Sequence, residues 1–264
     1  MNILNNLYNL KNRTAVITGA SGHVAEKLSL ILADLGANLT LISRKGIYKN
    51  NYDKKIKLLY PGIKLKKIIC DLSKEKNRKN LIKNLNKEKI NILINNATFK
   101  EKNLIGYASK FKTQNLKKWR SSLEINLTCA FHLSQGLHQN LTNSGKASII
   151  NISSIYGIYR PEWSIYKGTN IGNSSAYASA KGGLIQLTKW MSSTLAPQVR
   201  VNCVSPGGIF RNQPKKFVNS YQKKTLLGRM AKEEDLMGII AYLASDASSY
   251  VTGQNIIVDG GWGN

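Results

Sequence analysis

The chain has 264 residues, with 39 Lys or Arg against 14 Asp or Glu, and a formal net charge of +25. This length suits one large α/β domain, and because no Pro-, Gly- or Ser-rich linker divides it, we predict a single domain over residues 1–264. The N-terminus lacks the features of a signal peptide and no apolar run reaches the ~18 residues of a membrane span, so we expect a cytoplasmic protein with no membrane partner.

The basic residues are spread over predicted helices and loops, as in the segment 76–89. No segment combines dense basic charge with interleaved aromatic residues, as a groove for single-stranded nucleic acid would. We therefore attribute the charge to a solvated surface and predict no nucleic-acid partner. The three cysteines, Cys70, Cys129 and Cys203, lie far apart in apolar segments, which predicts buried thiols and no metal site.

Short apolar runs alternate along the chain with segments of helical periodicity. The run after the first strand, for example, repeats Val24, Leu28, Ile31 and Leu35 at helical spacing before Gly36 ends it. This alternation predicts an α/β, doubly wound, seven-stranded parallel sheet with helices on both faces and a ligand crevice at the carboxyl ends of the strands. The predicted strands are residues 14–18, 38–43, 63–70, 90–95, 147–153, 199–205 and 254–259.

The turn after the first strand reads "TGASGHVA", residues 18–25. In a dinucleotide-binding loop the first glycine makes the tight turn, another lets the backbone approach the pyrophosphate, and the last allows close helix packing. Gly19 and Gly22 fit the first two positions, and Ala25 is the smallest replacement at the third. The turn therefore predicts a cofactor loop, with an ordinary strand-to-helix turn as the alternative.

The second strand ends in "LISRK", with Ser43, Arg44 and Lys45 and no carboxylate. An acidic residue here would bond the ribose 2′-hydroxyl and repel a 2′-phosphate, whereas a guanidinium bonds a phosphate strongly. The sequence therefore favours NADP(H) over NAD(H). The alternative is a surface Arg-Lys pair that arises by chance in a basic protein.

Tyr177 and Lys181 lie four residues apart in a segment of helix formers after the fifth strand. On a helix this spacing places both side chains on one face. A nearby ammonium group stabilises a phenolate, so we predict that Lys181 lowers the pKa of Tyr177 and makes it an acid–base group.

With these features come Asp71 in "CDLS", "NNA" at 95–97, Asn126, "ISS" at 152–154, "VNCVSPGGI" at 201–209 and "YVTGQNIIVDGGW" at 250–262. The set resembles the short-chain dehydrogenase/reductase family over nearly the whole chain. The resemblance implies a Rossmann fold, with a cofactor half at about 1–150 and a catalytic and substrate half at about 151–264.

The resemblance also implies roles for individual residues. Tyr177 would be the catalytic acid/base, Lys181 would hold the nicotinamide ribose, Ser154 would orient the substrate oxygen, and Asn126 would support a water relay to Lys181. It further implies a homotetramer or homodimer with the C-terminal "NIIVDGGW" near an interface. The implied cofactor-binding residues are Gly19, Ser21, Gly22, His23, Val24, Ser43, Arg44, Lys45, Asp71, Leu72, Asn95, Asn96, Ala97, Tyr177, Lys181, Pro206, Gly207 and Ile209.

Three features of the sequence depart from the family pattern. His23 and Ala25 stand where one common register of the loop has glycines. Thr98 replaces the glycine of "NNAG", which predicts crowding at the cofactor. Phe210 or Arg211 stands where a threonine often follows "PGGI".

Ser154 and Tyr177 are 23 positions apart (177 − 154), longer than is usual in the family. The intervening segment carries four aromatic residues and two cations, which suits a nucleotide-linked or phosphorylated sugar as the small-molecule substrate. It resembles the branch encoded with flagellin-modification and surface-polysaccharide pathways. Packing of the loop or of an oligomer interface is the alternative use of these aromatics. The aromatic and basic residues of this segment are Tyr156, Tyr159, Arg160, Trp163, Tyr166 and Lys167.

A 3-oxoacyl-carrier-protein reductase and a non-catalytic dinucleotide sensor are the alternative functions.

Overall fold

A computed structural model describes residues 3–46, 48–100 and 107–263. Its seven strands form one parallel sheet in the order β3-β2-β1-β4-β5-β6-β7. Every predicted strand is confirmed, and the predictions run at most two residues beyond the observed starts. The strands are β1 (Thr14–Thr18), β2 (Asn38–Ser43), β3 (Leu65–Ile69), β4 (Ile92–Asn95), β5 (Ala147–Ile152), β6 (Val199–Pro206) and β7 (Asn255–Val258).

The helices lie between the strands, as right-handed parallel crossovers require. A π-helical turn, Glu124–Thr128, joins α5 to α6, and short 3-10 turns occupy Ile155–Gly157 and Trp163–Tyr166. None of the described helices is long and apolar enough to cross a membrane. The helices are α1 (Ile3–Tyr8), α2 (His23–Asp34), α3 (Tyr52–Leu59), α4 (Glu75–Leu85), α5 (Leu116–Leu123), α6 (Cys129–Gly136), α7 (His138–Thr142), α8 (Ser175–Leu195), α9 (Lys215–Gln222) and α10 (Met237–Ala244).

The sheet separates two hydrophobic cores because successive side chains of a strand point to opposite faces. Ile17 of β1 packs with α2, α3 and α10, whereas its neighbour Val16 packs with α4, α6 and α8. Helices therefore cover both faces, which confirms the doubly wound prediction. Cys70, Cys129 and Cys203 are buried free thiols, as predicted.

The strand order reverses between β1 and β4, which are neighbours in the sheet although β2 and β3 intervene in the chain. In open α/β sheets the ligand crevice lies at the carboxyl ends of the strands beside such a reversal. The turn after β1, the end of β2 and the segment after β4 therefore meet at one edge.

Candidate active site

The turn after β1 has the geometry of an anion-binding loop. Gly19 has φ +66°, and a Cβ there would lie 2.8 Å from the Cα of Ala97, so only glycine fits. Gly22 is the N-cap of α2 and supplies no side-chain cap, and the positive end of the helix dipole favours an anion there. Ala25 is fully buried, as its predicted packing position requires.

Thr18 joins the end of β1 to the segment after β4. Its Oγ1 accepts hydrogen bonds from the backbone N–H groups of Asn96 and Ala97, both at 3.0 Å, and donates to the carbonyl of Ile94 at 3.2 Å. Asn96 donates back to the Thr18 carbonyl at 3.0 Å. The two strand ends therefore hold the loop rigidly at the sheet edge.

A cavity of about 570 Å³, called here the first cavity, extends along this edge. It runs from the turn after β1, past the ends of β2 and β3, to the segment after β4 and the helix α5. Most of the predicted cofactor-binding residues line it. These are Gly19, Ser21, Gly22, His23, Val24, Ser43, Arg44, Asp71, Leu72, Asn96 and Ala97.

Two of the predicted cofactor residues, Lys45 and Asn95, do not line either cavity. Lys45 is exposed beyond the end of β2. Asn95 is buried inside the sheet, where its Nδ2 donates to Asn151 Oδ1 at 2.8 Å and to Ser134 Oγ at 3.3 Å. In this structure the Asn95 side chain joins β4 to β5, and its role at the cofactor stays a prediction, as does that of Lys45.

Arg44 and Asp71 both line the first cavity. Burial tends to raise the pKa of Asp71, but hydrogen bonds from Ser73 and the charge of Arg44 hold that pKa below its ordinary value. Asp71 is therefore a carboxylate near pH 7. The side chain of Arg44 is exposed at the cavity mouth.

A second cavity of about 290 Å³ adjoins the first, and the two share four wall residues: Val24, Asn96, Thr98 and Arg211. Its wall contains Ser154, Tyr177 and Lys181, together with the segment after β6. The structure therefore brings three of the four predicted catalytic residues to one cavity. The family resemblance implies that the segment 206–209 flanks the nicotinamide, and Pro206, Gly207 and Ile209 line the same cavity.

Tyr177 and Lys181 lie on one face of α8, as the spacing predicted. The Lys181 Nζ is 5.7 Å from the centre of the Tyr177 ring and donates to the Ile152 carbonyl at 2.6 Å. Burial lowers the pKa of Lys181 to about 8. Burial also raises the pKa of Tyr177, against the opposing effects of a hydrogen bond with Ser154 and the charge of Arg211.

The net pKa of Tyr177 is therefore raised in this structure, where the sequence predicted a lowered pKa. The ammonium group bonds the end of β5 rather than the phenol, and the loss of water around the ring outweighs the nearby charges. Tyr177 is a neutral phenol near pH 7. In this state it is a proton donor.

Backbone packing holds α8 against the end of β5. A Cβ on Gly157 would lie 2.7 Å from the carbonyl carbon of Lys181, so these two backbones touch. The Ser153 hydroxyl donates to the Lys181 carbonyl at 2.8 Å. The turn that carries Ser154 and the helix that carries Tyr177 and Lys181 therefore form one rigid unit.

Comparisons with known proteins agree with this geometry. A family model described as enoyl-(acyl carrier protein) reductase matches residues 19–263. The chain belongs to the short-chain dehydrogenase/reductase family.

Relatives in this family cover nearly all of the chain. A tropinone reductase homologue of Arabidopsis thaliana is 32% identical over 97% of this chain and 94% of its own. A 3-oxoacyl-[acyl-carrier-protein] reductase of Thermotoga maritima is 31% identical over 96% of this chain and 98% of its own. A post-translational flagellin modification protein of Campylobacter coli is 35% identical over 54% of this chain and 56% of its own.

Among solved structures, a short-chain dehydrogenase from Leptospira borgpetersenii with bound NAD+ has a TM-score of 0.82 and 31% identity. The match covers 99% of this chain and 96% of that one. Like its family, this short-chain dehydrogenase/reductase is an NAD(P)-dependent oxidoreductase that acts on CH–OH groups.

The residues present fit a nicotinamide dinucleotide. The uncapped N-terminus of α2 faces the first cavity, so its N–H groups would hold the diphosphate. Asp71 and Leu72 would lie at the adenine end and Pro206–Ile209 at the nicotinamide end, beside Tyr177. His23 and Ala25, which replace glycines in one register of the family's loop, do not block the site, since both cavities adjoin the loop.

Asn126, the fourth predicted catalytic residue, is buried in the π-helical turn and lies outside both cavity walls. Its Nδ2 donates to the carbonyl and hydroxyl oxygens of Ser122, at 2.9 and 3.1 Å. Its Oδ1 accepts from the Thr98 hydroxyl at 2.8 Å. The hydroxyl of Thr98, the residue expected to crowd the cofactor, thus bonds Asn126. The predicted water relay from Asn126 to Lys181 stays a prediction.

Sequence reasoning missed Arg78, which lies in a helix read as solvated surface. Arg78 is 2% exposed and donates to the Leu72 carbonyl at 2.6 Å and to His132 Nδ1 at 2.9 Å. It also pairs with Glu124 at 2.5 Å. Arg78 thereby fixes two wall residues of the first cavity, Leu72 and Glu124. Arg78 is a single arginine in a lysine-rich segment, and no hydrophobic periodicity at its position indicated that it is buried.

Between Ser154 and Tyr177, two of the aromatic residues pack against other rings or hydroxyls, and a third is exposed. Tyr156 and Tyr166 share a hydrogen bond between their hydroxyls, and the Tyr166 ring packs 5.5 Å from that of Phe217 in α9. Trp163 is 60% exposed. The packing alternative therefore accounts for Tyr166, whereas Tyr156 also lines the second cavity. Arg160 and Lys167 lie outside both cavity walls.

The α9 aromatics support the nicotinamide-side loop. Tyr221 stacks on Trp262 at 4.1 Å, and its hydroxyl accepts a hydrogen bond from the Gly208 N–H at 2.6 Å. A Cβ on Gly208 would lie 2.8 Å from the Tyr221 ring. The segment after β6 is thus shaped by α9 and the C-terminus together.

Proposed function

We propose that this protein is an NADP(H)-dependent oxidoreductase that interconverts a carbonyl and an alcohol on a nucleotide-linked or phosphorylated sugar. The observation that carries the proposal is the second cavity, where Ser154, Tyr177 and Lys181 converge beside the nicotinamide-side loop. A homotetramer or homodimer in the cytoplasm, without nucleic-acid or membrane partners, belongs to the same proposal. The edge strand β7, whose Ile257 is 41% exposed, supports self-association.

The cavity residues divide the chemistry among themselves. A bound nicotinamide supplies or accepts the hydride. In the reductive direction the neutral Tyr177 phenol donates a proton to the substrate oxygen, and the Ser154 hydroxyl orients that oxygen. Lys181, anchored on the Ile152 carbonyl, stabilises the phenolate left behind and holds the nicotinamide ribose.

The preference for NADP(H) rests on the end of β2. Ser43, Arg44 and Lys45 include no carboxylate, and Arg44 lies in the wall of the first cavity. Guanidinium and phosphate form charge-assisted hydrogen bonds worth roughly 1.5–3 kcal/mol. This cation at the ribose end supports recognition of a 2′-phosphate.

Arg44→Gln should raise the Kd for NADPH by about 10- to 100-fold and leave the Kd for NADH within about threefold, because only NADPH carries the 2′-phosphate. Titration of the nicotinamide fluorescence measures both constants. Lys45→Gln is the matched control, since Lys45 is exposed and lies outside the cavity wall. Equal loss in the two variants, or a wild type that binds NADH as tightly as NADPH, would contradict the proposed preference.

The sugar substrate is supported by the exposed Trp163, which lies in the segment between Ser154 and Tyr177, and by the partial match to the flagellin modification protein. The full-length match to a 3-oxoacyl-[acyl-carrier-protein] reductase supports the competing substrate. With NADPH, we expect turnover on a panel of keto-sugar nucleotides to exceed turnover on acetoacetyl thioesters. Spectrophotometric loss of NADPH measures both, and the reverse order would favour the acyl substrate.

A further inference from the structure

The charged side chains that line the second cavity are all basic. Among the described residues they are Lys181 and Arg211, and no carboxylate lies in this wall. Lys181 is 3% exposed and bonds the Ile152 carbonyl. Arg211 is the more accessible of the two, with 42% of its side chain exposed, and it also lines the first cavity.

The position of Arg211 is fixed on three sides. Its backbone N–H donates to Gln213 Oε1 at 2.7 Å, and the preceding Phe210 N–H donates to the Ala231 carbonyl at 2.8 Å. Its Nε donates to Glu233 at 2.9 Å. These contacts hold the guanidinium at the junction of the two cavities.

Most of the guanidinium's bonding capacity is unused. Arginine has five N–H donors in a planar fork, and the contact with Glu233 uses only the one on Nε. The two terminal nitrogens have no hydrogen-bond partner among residues 3–46, 48–100 and 107–263. A fork of this kind matches a carboxylate or a phosphate in a bidentate manner.

The charge of Arg211 also reaches the reaction centre, since it opposes the rise in the pKa of Tyr177 that burial causes. An anion that bound Arg211 would therefore lie within electrostatic range of the phenol. The threonine that often follows "PGGI" in the family, where this chain has Phe210 or Arg211, carries no charge. Arg211 thus adds a cation at a point where the family resemblance predicts none.

We propose that the Arg211 guanidinium is an anion-binding site that holds a carboxylate or phosphate group at the junction of the two cavities. The group belongs either to the substrate or to the diphosphate of the cofactor, which present the same chemistry to the arginine. This inference rests on the proposed function only in identifying the anion as part of a reactant.

Inorganic phosphate is the probe, titrated calorimetrically at constant ionic strength into the free protein and into the NADPH-saturated protein. Arg211→Gln should weaken phosphate binding about tenfold, because it removes a charge-assisted bidentate contact. Lys223→Gln removes the same charge from an exposed site outside both cavities and should leave binding within about twofold. Arg211→Lys, which keeps a cation for Glu233 but loses the fork, should lie between them.

The two sources of the anion give different patterns. A substrate group predicts that phosphate still binds the NADPH-saturated protein and that Arg211→Gln leaves the Kd for NADPH nearly unchanged. The cofactor diphosphate predicts that NADPH displaces phosphate and that Arg211→Gln weakens NADPH by about tenfold. Absence of phosphate binding by the wild type, or equal binding by wild type, Arg211→Gln and Lys223→Gln, overturns the proposal. If NADPH fails to bind at all, the proposed function fails, while the phosphate comparison in the free protein still decides the role of Arg211.

Discussion

Tyr177→Phe should lower kcat by about 10³-fold and leave the Kd for NADPH nearly unchanged, because it removes the proton donor and keeps the ring that forms the cavity wall. The phenol is neutral near pH 7, since burial raises its pKa. Steady-state kinetics on the best substrate and a fluorescence titration of NADPH measure the two quantities.

Tyr159→Phe is the control for Tyr177→Phe, since it makes the same chemical change in a residue outside both cavities. It should retain wild-type kcat. Wild-type turnover in Tyr177→Phe would show that the proton comes from another group and would contradict the proposed function. Cofactor binding without turnover in the wild type would instead favour a non-catalytic dinucleotide sensor.

Lys181→Met should lower kcat by about 100-fold or more and at the same time stabilise the fold by about 1–3 kcal/mol at pH 7. The pKa of Lys181 is about 8 in the folded chain against 10.5 ordinarily, because burial disfavours the charged form. The unfolded chain therefore binds more protons between these values, and the cost of burying the charge is fully present below pH 8. Methionine fills a similar volume without that cost.

The stability gain of Lys181→Met should depend on pH, which gives a second test. The advantage of Lys181→Met should be largest below pH 8 and shrink as the pH rises from about 8 to 10.5, where the wild-type lysine is neutral in both states. Urea denaturation at pH 7 and at pH 10 measures it. Lys189→Met, an exposed lysine of the same helix, should show no such pH-dependent gain. Equal or lower stability of Lys181→Met at pH 7 would mean that the bond to Ile152 fully offsets the burial.

The fold was predictable because its signals are local. Each strand is a short apolar run, each crossover carries helical periodicity, and a parallel sheet collects the carboxyl ends of its strands at one edge. The placement of Gly19 and Ser154 at one edge of the sheet follows from those ends alone, since each comes just after a strand. The grouping of the site therefore needed no tertiary information beyond strand order.

The electrostatics of the site were less predictable because they depend on burial. The four-residue spacing correctly placed Tyr177 and Lys181 on one face, but it gave no indication that Lys181 bonds the Ile152 carbonyl. For the same reason the sequence did not predict the orientation of Asn95, the last residue of β4. Its side chain points into the sheet and bonds Asn151. A motif specifies which residues are near each other, and only packing decides which of them reach the cavity.

The close contact between Gly157 and the backbone of Lys181 divides residues 152–195 into a fixed part and a part that can vary in sequence. The turn with Ser154 and the helix with Tyr177 and Lys181 cannot move apart or accept a larger residue at 157. The segment 158–174 begins after this fixed point and ends where α8 begins. Exchange of that segment between homologues would leave the Ser154, Tyr177 and Lys181 arrangement in place, because the fixed contact lies outside it. Because Tyr166 packs on Phe217, such a chimera has to carry α9 from the same parent.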